Sequence, residues 1–221
     1  IVFGDWSSDV CSSDLWKGAR AGALGTIGAF SFFPSKNLGG LGDGGMATTD
    51  SDSLAAALRQ IRMHGQSGTY IHESVGGNFR LDALQAAGLR VKLPHLDLWA
   101  KGRAENAAWY TRRLAEEGLE EFLVAPPVHP SAGHVFNQFT LRAKNRDGLR
   151  EALKAAGIGH AVYYPLPLHL QPCFAALGHK PGDFPAAEKA SRAVISLPVY
   201  PELTEEQKER VLAALKGFYL R

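Results

Sequence analysis

The 221-residue chain has few of the residues that mark a secreted, metal-binding or membrane-spanning protein. Its two cysteines, Cys11 and Cys173, are too few and too far apart for a disulfide framework or a cysteine metal cluster. No apolar run reaches the roughly 18–20 residues that a membrane span requires. Its 24 basic and 22 acidic residues give a net charge of +2 without a basic block, so nothing indicates nucleic-acid binding. These absences predict a cytoplasmic α/β protein with no metal, membrane or nucleic-acid partner.

The first fifteen residues, IVFGDWSSDVCSSDL, differ in character from the rest of the chain. The triplet Ser-Ser-Asp occurs twice within them, and the apolar residues follow no useful period. The segment lacks the basic start and the continuous apolar centre of a signal peptide. It resembles translated sequencing-adapter read-through. We therefore expect residues 1–15 to be a non-native leader, and the fold analysis begins at Trp16.

Two strands and a helix are predicted between Gly25 and about Gly65. The apolar run TIGAFSFF predicts a buried strand, and GGMATTD predicts a second strand after a glycine-rich turn. A helix then begins at Ser51 or Asp52 and ends near Gly65. Leu54, Leu58 and Ile61 are predicted to lie on one face of this helix. The polar, glycine-bearing residues 64–80 predict a loop.

The second half of the chain predicts one long helical region followed by alternating strands and helices. Residues 81–117 have a helical pattern that is expected to bend or break at Pro94. HVFNQFTLRA predicts a strand, RDGLREALKAAG a helix ending at Gly157, and HAVYYPL another strand. A capping box, Thr204 and Gln207, begins the last helix. Its predicted buried residues are Val211, Leu215 and Phe218.

Lys36 has an unusual context for a lysine, within SFFPSKNLGGLGDGGM. An apolar, aromatic run leads into it, Pro34 stiffens the approach, and glycine fills five of the nine following positions. A loop lysine is usually solvated, but desolvation at a strand end beside a cavity favours the neutral amine, which can form a Schiff base with an aldehyde. A phosphate-binding P-loop requires glycine directly before the lysine and serine or threonine directly after it. The neighbours here are Ser35 and Asn37, so that motif is excluded.

The segment around Lys36 resembles the cofactor-lysine segment of the DegT/DnrJ/StrS-type sugar aminotransferases, which depend on pyridoxal 5'-phosphate. The resemblance continues in order through RMHGQSGTYIHESVGGNFRLDALQAAGLRVKLPHL, HVFNQFTLR, GIGHAVYYPLPLHLQPCF and ISLPVYPELTEEQ. It implies an α/β fold of the fold-type-I, aspartate-aminotransferase-like class with a truncated large domain. Residues 16–95 would be the C-terminal part of the large cofactor-binding domain. Residues 96–221 would be the linking helix and the small C-terminal α/β domain.

The resemblance also implies roles for individual residues. Lys36 corresponds to the lysine that binds the cofactor covalently and then acts as general acid–base. Ser31 corresponds to a serine that donates to the cofactor phosphate. Asn78 corresponds to an asparagine that reaches the phosphate of the neighbouring subunit, which implies a homodimer with shared active sites. The candidate substrate contacts are Tyr164, His169, Asn137 and Gln138. A dehydratase branch of the family has histidine in place of the lysine, so Lys36 argues against that branch.

The implied reaction is amino transfer, with L-glutamate as the expected donor, to a keto group of a nucleotide-linked sugar in amino-sugar biosynthesis. Family members also carry an aspartate that pairs with the pyridine nitrogen of the cofactor, and a glutamine after it. An ungapped register places Ser7 and Val10 in those two positions, and neither side chain can take these roles. We therefore expect the chain as given to be an inactive C-terminal portion. Two alternatives stay open: a non-catalytic dimerisation or regulatory module, and a small-molecule-binding α/β domain without covalent chemistry.

Overall fold

The computed structural model describes residues 14–220 and, for the backbone alone, residues 6–7. Its helices are α1 (Asp52–Arg62), α2 (Ala83–Lys92), α3 (Leu96–Glu116), α4 (Arg146–Ala155), α5 (Pro185–Ala193) and α6 (Glu205–Tyr219). Its strands are β1 (Trp6–Ser7), β2 (Leu15–Trp16), β3 (Ala19–Arg20), β4 (Ile27–Ser31), β5 (Gly45–Thr48), β6 (Gln66–Gly68), β7 (Ile71–His72), β8 (Leu123–Val124), β9 (Ala132–Gly133), β10 (Phe139–Ala143) and β11 (Val194–Leu197). Short 3-10 helices are Ala21–Ala23, Leu93–His95, Leu168–Leu170 and Pro172–Leu177.

Most of the expected non-native leader, residues 1–5 and 8–13, lies outside the described residues, as does Val10 in the expected glutamine position. Only the backbone of Ser7, in the expected aspartate position, is described, and it lies in β1. Leu15, at the end of the expected leader, belongs to β2, which pairs with β3 and β9.

The chain divides into two compact units. The first contains the described residues up to Lys101 together with Val128–Val135, and the second contains Gly102–Pro127 and the residues from Phe136 onwards. This division falls between Lys101 and Gly102, within α3. The boundary expected from the sequence, between residues 95 and 96, lies nearer the N-terminus, at the start of α3. Residues 128–135 join the first unit because β9 pairs with β2, a long-range pairing that has no local sequence signal.

The first unit contains a three-stranded sheet in the order β1-β4-β5, and a second one in the order β3-β2-β9. β1 runs parallel to β4, while β4 and β5 are antiparallel. The predicted strands TIGAFSFF and GGMATTD are therefore confirmed as β4 and β5, although β4 is mostly half-buried rather than buried. Ser51 caps α1 by accepting a hydrogen bond from the N–H of Leu54, as a helix start at Asp52 requires.

One prediction for the first unit is wrong. Residues 64–80 do not form a continuous loop, because β6 and β7 pair as a hairpin within them. The apolar face of α1 lies on the predicted helix, where Leu54 and Leu58 are half-buried and Ile61 is 41% exposed. Part of this face, including Leu58 and Ile61, lines a groove of about 630 Å³ between α1 and β5.

The second unit is built on an antiparallel sheet in the order β11-β10-β8. Residues of α3, α4 and α6 share one apolar core with β10 and β11. α6 begins with the predicted capping box, in which Thr204 and Gln207 each accept a backbone hydrogen bond. Val211 and Leu215 are buried and Phe218 packs against them at the edge, so the predicted face of α6 is confirmed.

Two strand predictions in the second unit are too long. β10 begins only at Phe139, because Phe136 adopts a positive φ of 47° that interrupts extended backbone before the strand. The predicted strand HAVYYPL is reduced to a single bridge between Ala161 and Ser196. Pro165 and Pro167 follow it and cannot donate backbone hydrogen bonds to a neighbouring strand.

Several apolar side chains of the first unit are exposed, among them Leu41, Phe79, Leu84 and Val91. Within the described residues, no helix is both long enough and apolar enough to span a membrane. The described residues also contain no group of three or more histidine, cysteine, aspartate or glutamate side chains that could hold a metal ion.

The helical region 81–117 is interrupted at Leu93–His95, where Pro94 stands, as predicted.

Two tyrosines in the second unit differ in one hydrogen bond. Tyr110 is fully buried and stacks on Phe139 with 5.4 Å between ring centroids, but its hydroxyl has no partner among the described residues. Tyr219 stacks on Phe122, and its hydroxyl donates to the carbonyl of Lys144 at 2.6 Å. Burial raises the pKa of Tyr219 to about 12, and burial also raises the pKa of Tyr110 above its ordinary value. Both hydroxyls are therefore neutral at ordinary pH.

Replacement of Tyr110 by phenylalanine is expected to raise the free energy of unfolding by about 1 kcal/mol, because it removes a buried hydroxyl without a partner. Tyr219→Phe is the matched control. It is expected to lower the free energy of unfolding by about 1 kcal/mol, because the carbonyl of Lys144 loses its donor. Urea unfolding followed by circular dichroism measures both changes. Effects of equal sign in the two variants would contradict the assignment of the hydrogen bonds.

Candidate active site

The end of β4 and the loop after it present two of the predicted site residues on one stretch of backbone. Ser31 is the last residue of β4 and pairs with Gly45 of β5. The N–H of Phe32 donates to the carbonyl of Gly44, and the carbonyl of Phe32 accepts from the N–H of Gly40, both at 2.7 Å. The loop that contains Lys36 is therefore closed at its base by backbone hydrogen bonds.

Lys36 lies between two side chains that are fixed in the core of the first unit. Phe32 and Leu38 are buried there with apolar residues of α2 and α3. The N–H of Lys36 donates to the carbonyl of Phe33 at 2.8 Å, which makes a tight turn at Pro34. Lys36 itself is half-buried. The backbone of Lys36 is thus fixed by the burial of Phe32 before it and Leu38 after it, and by the turn at Pro34.

α2 contributes two side chains to the glycine-rich loop that the sequence analysis did not identify. Oε1 of Gln85 accepts the N–H of Leu41 at 2.7 Å and the N–H of Gly42 at 3.1 Å. The ammonium group of Lys92 donates to the carbonyl of Gly39. Residues seven apart lie on the same face of a helix, so this spacing was the available signal. The spacing alone does not reveal which loop the face contacts.

Close packing explains two of the five glycines in the loop. A Cβ atom at position 39 would lie 2.3 Å from the carbonyl oxygen of Pro34. At Gly40 it would lie 2.8 Å from Oε1 of Gln85, the same oxygen that accepts the two loop N–H groups. A side chain at position 39 would therefore collide with backbone, and one at position 40 would displace the Gln85 oxygen that holds the loop.

Replacing Gln85 by leucine is expected to loosen the loop, because the N–H groups of Leu41 and Gly42 lose their acceptor. We expect a loss of about 1 kcal/mol in the free energy of unfolding. Amide hydrogen exchange should become faster at residues 41 and 42. Gln171→Leu is the control, since the side chain of Gln171 makes no hydrogen bond within the described part of the chain. Unchanged exchange at both amides in Gln85→Leu would contradict the role assigned to Gln85.

Polar groups that can still bind a ligand lie on either side of Lys36 along the chain. Oγ of Ser31 accepts the N–H of Phe33 at 3.3 Å, and its hydroxyl can still donate to a ligand. Asn37 is only 5% exposed, yet neither Nδ2 nor Oδ1 has a partner among the described residues. Buried amides are normally hydrogen-bonded. A ligand with an aldehyde and a phosphate requires an amine and hydrogen-bond donors, so these residues fit pyridoxal 5'-phosphate.

Asn78 lies on a different loop, which is held against the end of α1. The N–H of Gly77 donates to the carbonyl of Ile61 at 3.0 Å, and Asn78 itself forms an isolated antiparallel bridge with Met63. Asn78 is exposed. The structure thus brings Ser31 and Lys36 onto one segment and presents Asn78 at the surface of the first unit.

Two of the four candidate substrate residues line a cavity of about 530 Å³ in the second unit. Asn137 is half-buried, and its Oδ1 is buried without a partner in the described part of the chain. Gln138 is exposed at the same cavity. The other polar and charged residues of the lining are Arg103, His160, Tyr163, Ser196, Tyr200, Gln207 and Arg210. The lining contains no aspartate or glutamate, so it suits a polar or anionic ligand better than a cation.

The other two candidates do not line this cavity. Tyr164 is 68% exposed. The side chain of His169 is only 7% exposed, and its Nε2 lies 3.2 Å from Oε1 of Glu188 in α5. Glu188 was not identified from the sequence, because the pair is separated by 19 residues and follows no helical or strand period.

The fold and the lysine loop together define a chain of the aminotransferase class. Residues 10–216 match the DegT/DnrJ/EryC1/StrS aminotransferase family. The chain belongs to this family, and the resemblance inferred from its sequence is confirmed.

Three relatives illustrate the range of the family. The chain is 51% identical over 204 residues to a pleiotropic regulatory protein of Geobacillus stearothermophilus, covering 92% of this chain and 55% of the relative. It is 44% identical to a UDP-N-acetyl-3-dehydro-α-D-glucosamine 3-aminotransferase of Acidithiobacillus ferrooxidans, covering 90% and 53%. It is 43% identical to a dTDP-3-amino-3,4,6-trideoxy-α-D-glucose transaminase of Streptomyces venezuelae, covering 91% and 52%. The chain spans about half the length of these curated relatives.

Solved structures confirm the expected fold class. The S. venezuelae protein DesV, solved in complex with a ketimine intermediate, matches with a TM-score of 0.88 at 41% identity, covering 94% of this chain and 55% of DesV. The Bacillus subtilis protein NtdA, solved with bound cofactor PMP, matches with a TM-score of 0.82 at 28% identity, covering 92% and 48%. The chain therefore has the fold of the fold-type-I aminotransferases over about half of the length of these neighbours.

Proposed function

We propose that this chain forms part of a cytoplasmic pyridoxal-phosphate-dependent aminotransferase that acts on a keto group of a nucleotide-linked sugar. The observation that carries the proposal is the loop of Lys36. Its base is closed at Phe32 and its flanks are buried. Near the lysine in sequence are the unpaired amide atoms of Asn37 and the hydroxyl of Ser31, which can still donate. Family membership supports the same function.

The residues of the loop have distinct proposed tasks. When bound, the cofactor supplies the electron sink that makes amino transfer possible. Lys36 would hold it covalently and, once released, carry a proton to and from the substrate carbon. Ser31 would donate to its phosphate. Because the loop is pinned at both ends, the amine of Lys36 would stay within reach of the reacting carbon after its release.

The names of the relatives favour one carbon of the sugar. The A. ferrooxidans and S. venezuelae relatives are both named for an amino group at carbon 3, although one substrate carries UDP and the other dTDP. We therefore propose a 3-keto sugar as the substrate class, with L-glutamate as the amino donor. The product would be a nucleotide-linked 3-amino sugar for polysaccharide or antibiotic synthesis.

A second candidate function is a regulatory or dimerisation module without catalysis. The G. stearothermophilus relative, at 51% identity, is named a pleiotropic regulatory protein. In an ungapped register, Ser7 takes the position at which the family has an aspartate for the pyridine nitrogen. This substitution also favours a module without catalysis. Covalent binding of the cofactor at Lys36 and turnover would distinguish the enzyme from this alternative.

The test uses a hybrid in which the N-terminal half of the G. stearothermophilus relative replaces the residues before Trp16. After incubation with pyridoxal phosphate and reduction with borohydride, we expect mass spectrometry to find one cofactor adduct, on Lys36. Lys36→Ala should lose the adduct and lower turnover of a UDP- or dTDP-linked 3-keto sugar by at least about 1,000-fold. The 221-residue chain itself is expected to be inactive.

Lys154→Ala is the matched control, since Lys154 is exposed on α4 and should not affect the adduct. An adduct on another lysine, or none, would refute the assignment of Lys36. An adduct without turnover of either sugar would favour the regulatory alternative. Comparison of L-glutamate with other amino acids identifies the donor.

We further propose that the active enzyme is a homodimer in which Asn78 completes the site of the neighbouring subunit. Its exposure, on a loop separate from the Lys36 loop, supports this arrangement. An amide at the dimer surface can donate to a phosphate bound by the other subunit.

Mixing two inactive hybrids tests the shared site. Lys36→Ala lacks the anchor, and Asn78→Asp places a negative charge against the phosphate. If Asn78 acts across the interface, each mixed dimer contains one intact site, so random mixing should restore about a quarter of wild-type activity. If Asn78 acts within its own subunit, mixed dimers contain no intact site. Activity no higher than that of the separate variants would therefore contradict the proposal.

A further inference from the structure

An almost buried hydrogen-bonded pair anchors the loop that precedes α5. His169 lies in the 3-10 helix Leu168–Leu170, and Glu188 lies in the first turn of α5. Nε2 of the histidine is 3.2 Å from Oε1 of the glutamate, and the two side chains are 7% and 9% exposed. A carboxylate at this depth loses most of its hydration, so it requires further polar partners to stay ionised.

Glu188 has one further hydrogen bond and a nearby cation. Its Oε1 also accepts the N–H of Gly182 at 2.7 Å, and Nη1 of Arg192 lies 3.9 Å from Oε2. The hydrogen bond from Gly182, followed by that from His169, outweighs burial and holds the pKa of Glu188 below its ordinary value. The carboxylate is therefore ionised at neutral pH and can only accept hydrogen bonds.

The imidazole ring of His169 is enclosed by other rings of the same loop. The ring of Phe184 is 4.7 Å away and that of His179 is 6.4 Å away, measured between centroids. His179 has its own partner, Asp183, with 3.5 Å between Nδ1 and Oδ2. Because Glu188 only accepts, the proton that the two residues share lies on Nε2 of His169. Nδ1 has no partner within the described residues, so in the tautomer with the proton on Nε2 this nitrogen is an unused acceptor.

We propose that Glu188 is a positioning residue for His169. It holds the ring in the tautomer with the proton on Nε2, so that Nδ1 accepts a hydrogen bond from a hydroxyl group of the sugar substrate. The inference rests on the proposed function and on the expectation from the family resemblance that His169 contacts the sugar. A carboxylate that fixes the tautomer of a functional histidine in this way is a general device.

A purely structural contact is the competing explanation. Such a contact would be satisfied by apolar residues of similar volume, which often replace buried ion pairs without loss of stability. The two explanations predict different responses when the charge of Glu188 is removed without changing its shape.

The first test measures the tautomer in the 221-residue chain. Glu188→Gln keeps the size of the side chain but replaces the charged acceptor by an amide that can also donate. Nitrogen chemical shifts of ¹⁵N-labelled histidine should show His169 with its proton on Nε2 in the wild type and a mixture of tautomers in Glu188→Gln. Asp183→Asn is the matched control, because it removes a charge from the same loop but contacts His179; it should leave His169 unchanged. An unchanged tautomer in Glu188→Gln would overturn the proposal.

The second test measures kinetics in the hybrid enzyme. Glu188→Gln should raise the KM for the nucleotide sugar about tenfold, while the KM for the amino donor and the cofactor adduct on Lys36 stay unchanged. Asp183→Asn should change none of these quantities. If Glu188→Gln altered both KM values together with thermal stability, or neither KM value, its role would be structural and the proposal would be wrong.

Failure of the proposed function would look different. A wild-type hybrid without an adduct on Lys36 would refute the aminotransferase assignment and, with it, the sugar contact. The tautomer measurement needs no cofactor, so it would still decide whether Glu188 orients His169.

Discussion

The burial of Phe32 is the constraint on which the placement of Lys36 depends. Its side chain lies in the core of the first unit, while its N–H and its carbonyl make the two hydrogen bonds that close the loop. One residue therefore links the core, the end of β4 and both arms of the glycine-rich segment. Ser31 directly precedes Phe32, so the same contacts fix the position of its backbone. A displacement of Phe32 would move Ser31 and Lys36 together, so the position of one relative to the other would stay the same.

Signals confined to a few neighbouring residues were predicted well from the sequence. Ser51 caps α1, and Thr204 with Gln207 caps α6, because a capping hydrogen bond spans only three residues. Pro94 interrupts the long helical region because its missing N–H acts on the preceding turn. The lysine context was equally local, since aromatic residues before it and glycines after it already required a strand end and a close turn.

Features that depend on distant partners were missed or overestimated. The alternation in HAVYYPL suits a strand, but a strand needs a neighbour over its whole length, and only Ala161 finds one, at Ser196. The apolar face of α1 has the expected helical period, yet period does not guarantee that another surface covers it. Gln85 has no local mark of its role, because the N–H groups that it accepts lie more than 40 residues earlier in the chain.

The two units use the same device to fix a loop that carries candidate site residues. In each, one side-chain oxygen from the first turn of a helix accepts two N–H groups: Gln85 accepts two backbone amides, and Glu188 accepts one amide and the ring of His169. Side chains in a first turn tilt towards the start of the helix and so reach a loop on that side. The neutral amide suffices where both donors are peptide groups. A carboxylate is required where the second donor is a histidine whose proton must stay on one nitrogen. Gln85 therefore only holds its loop in place, whereas Glu188 also sets which nitrogen of His169 carries the proton.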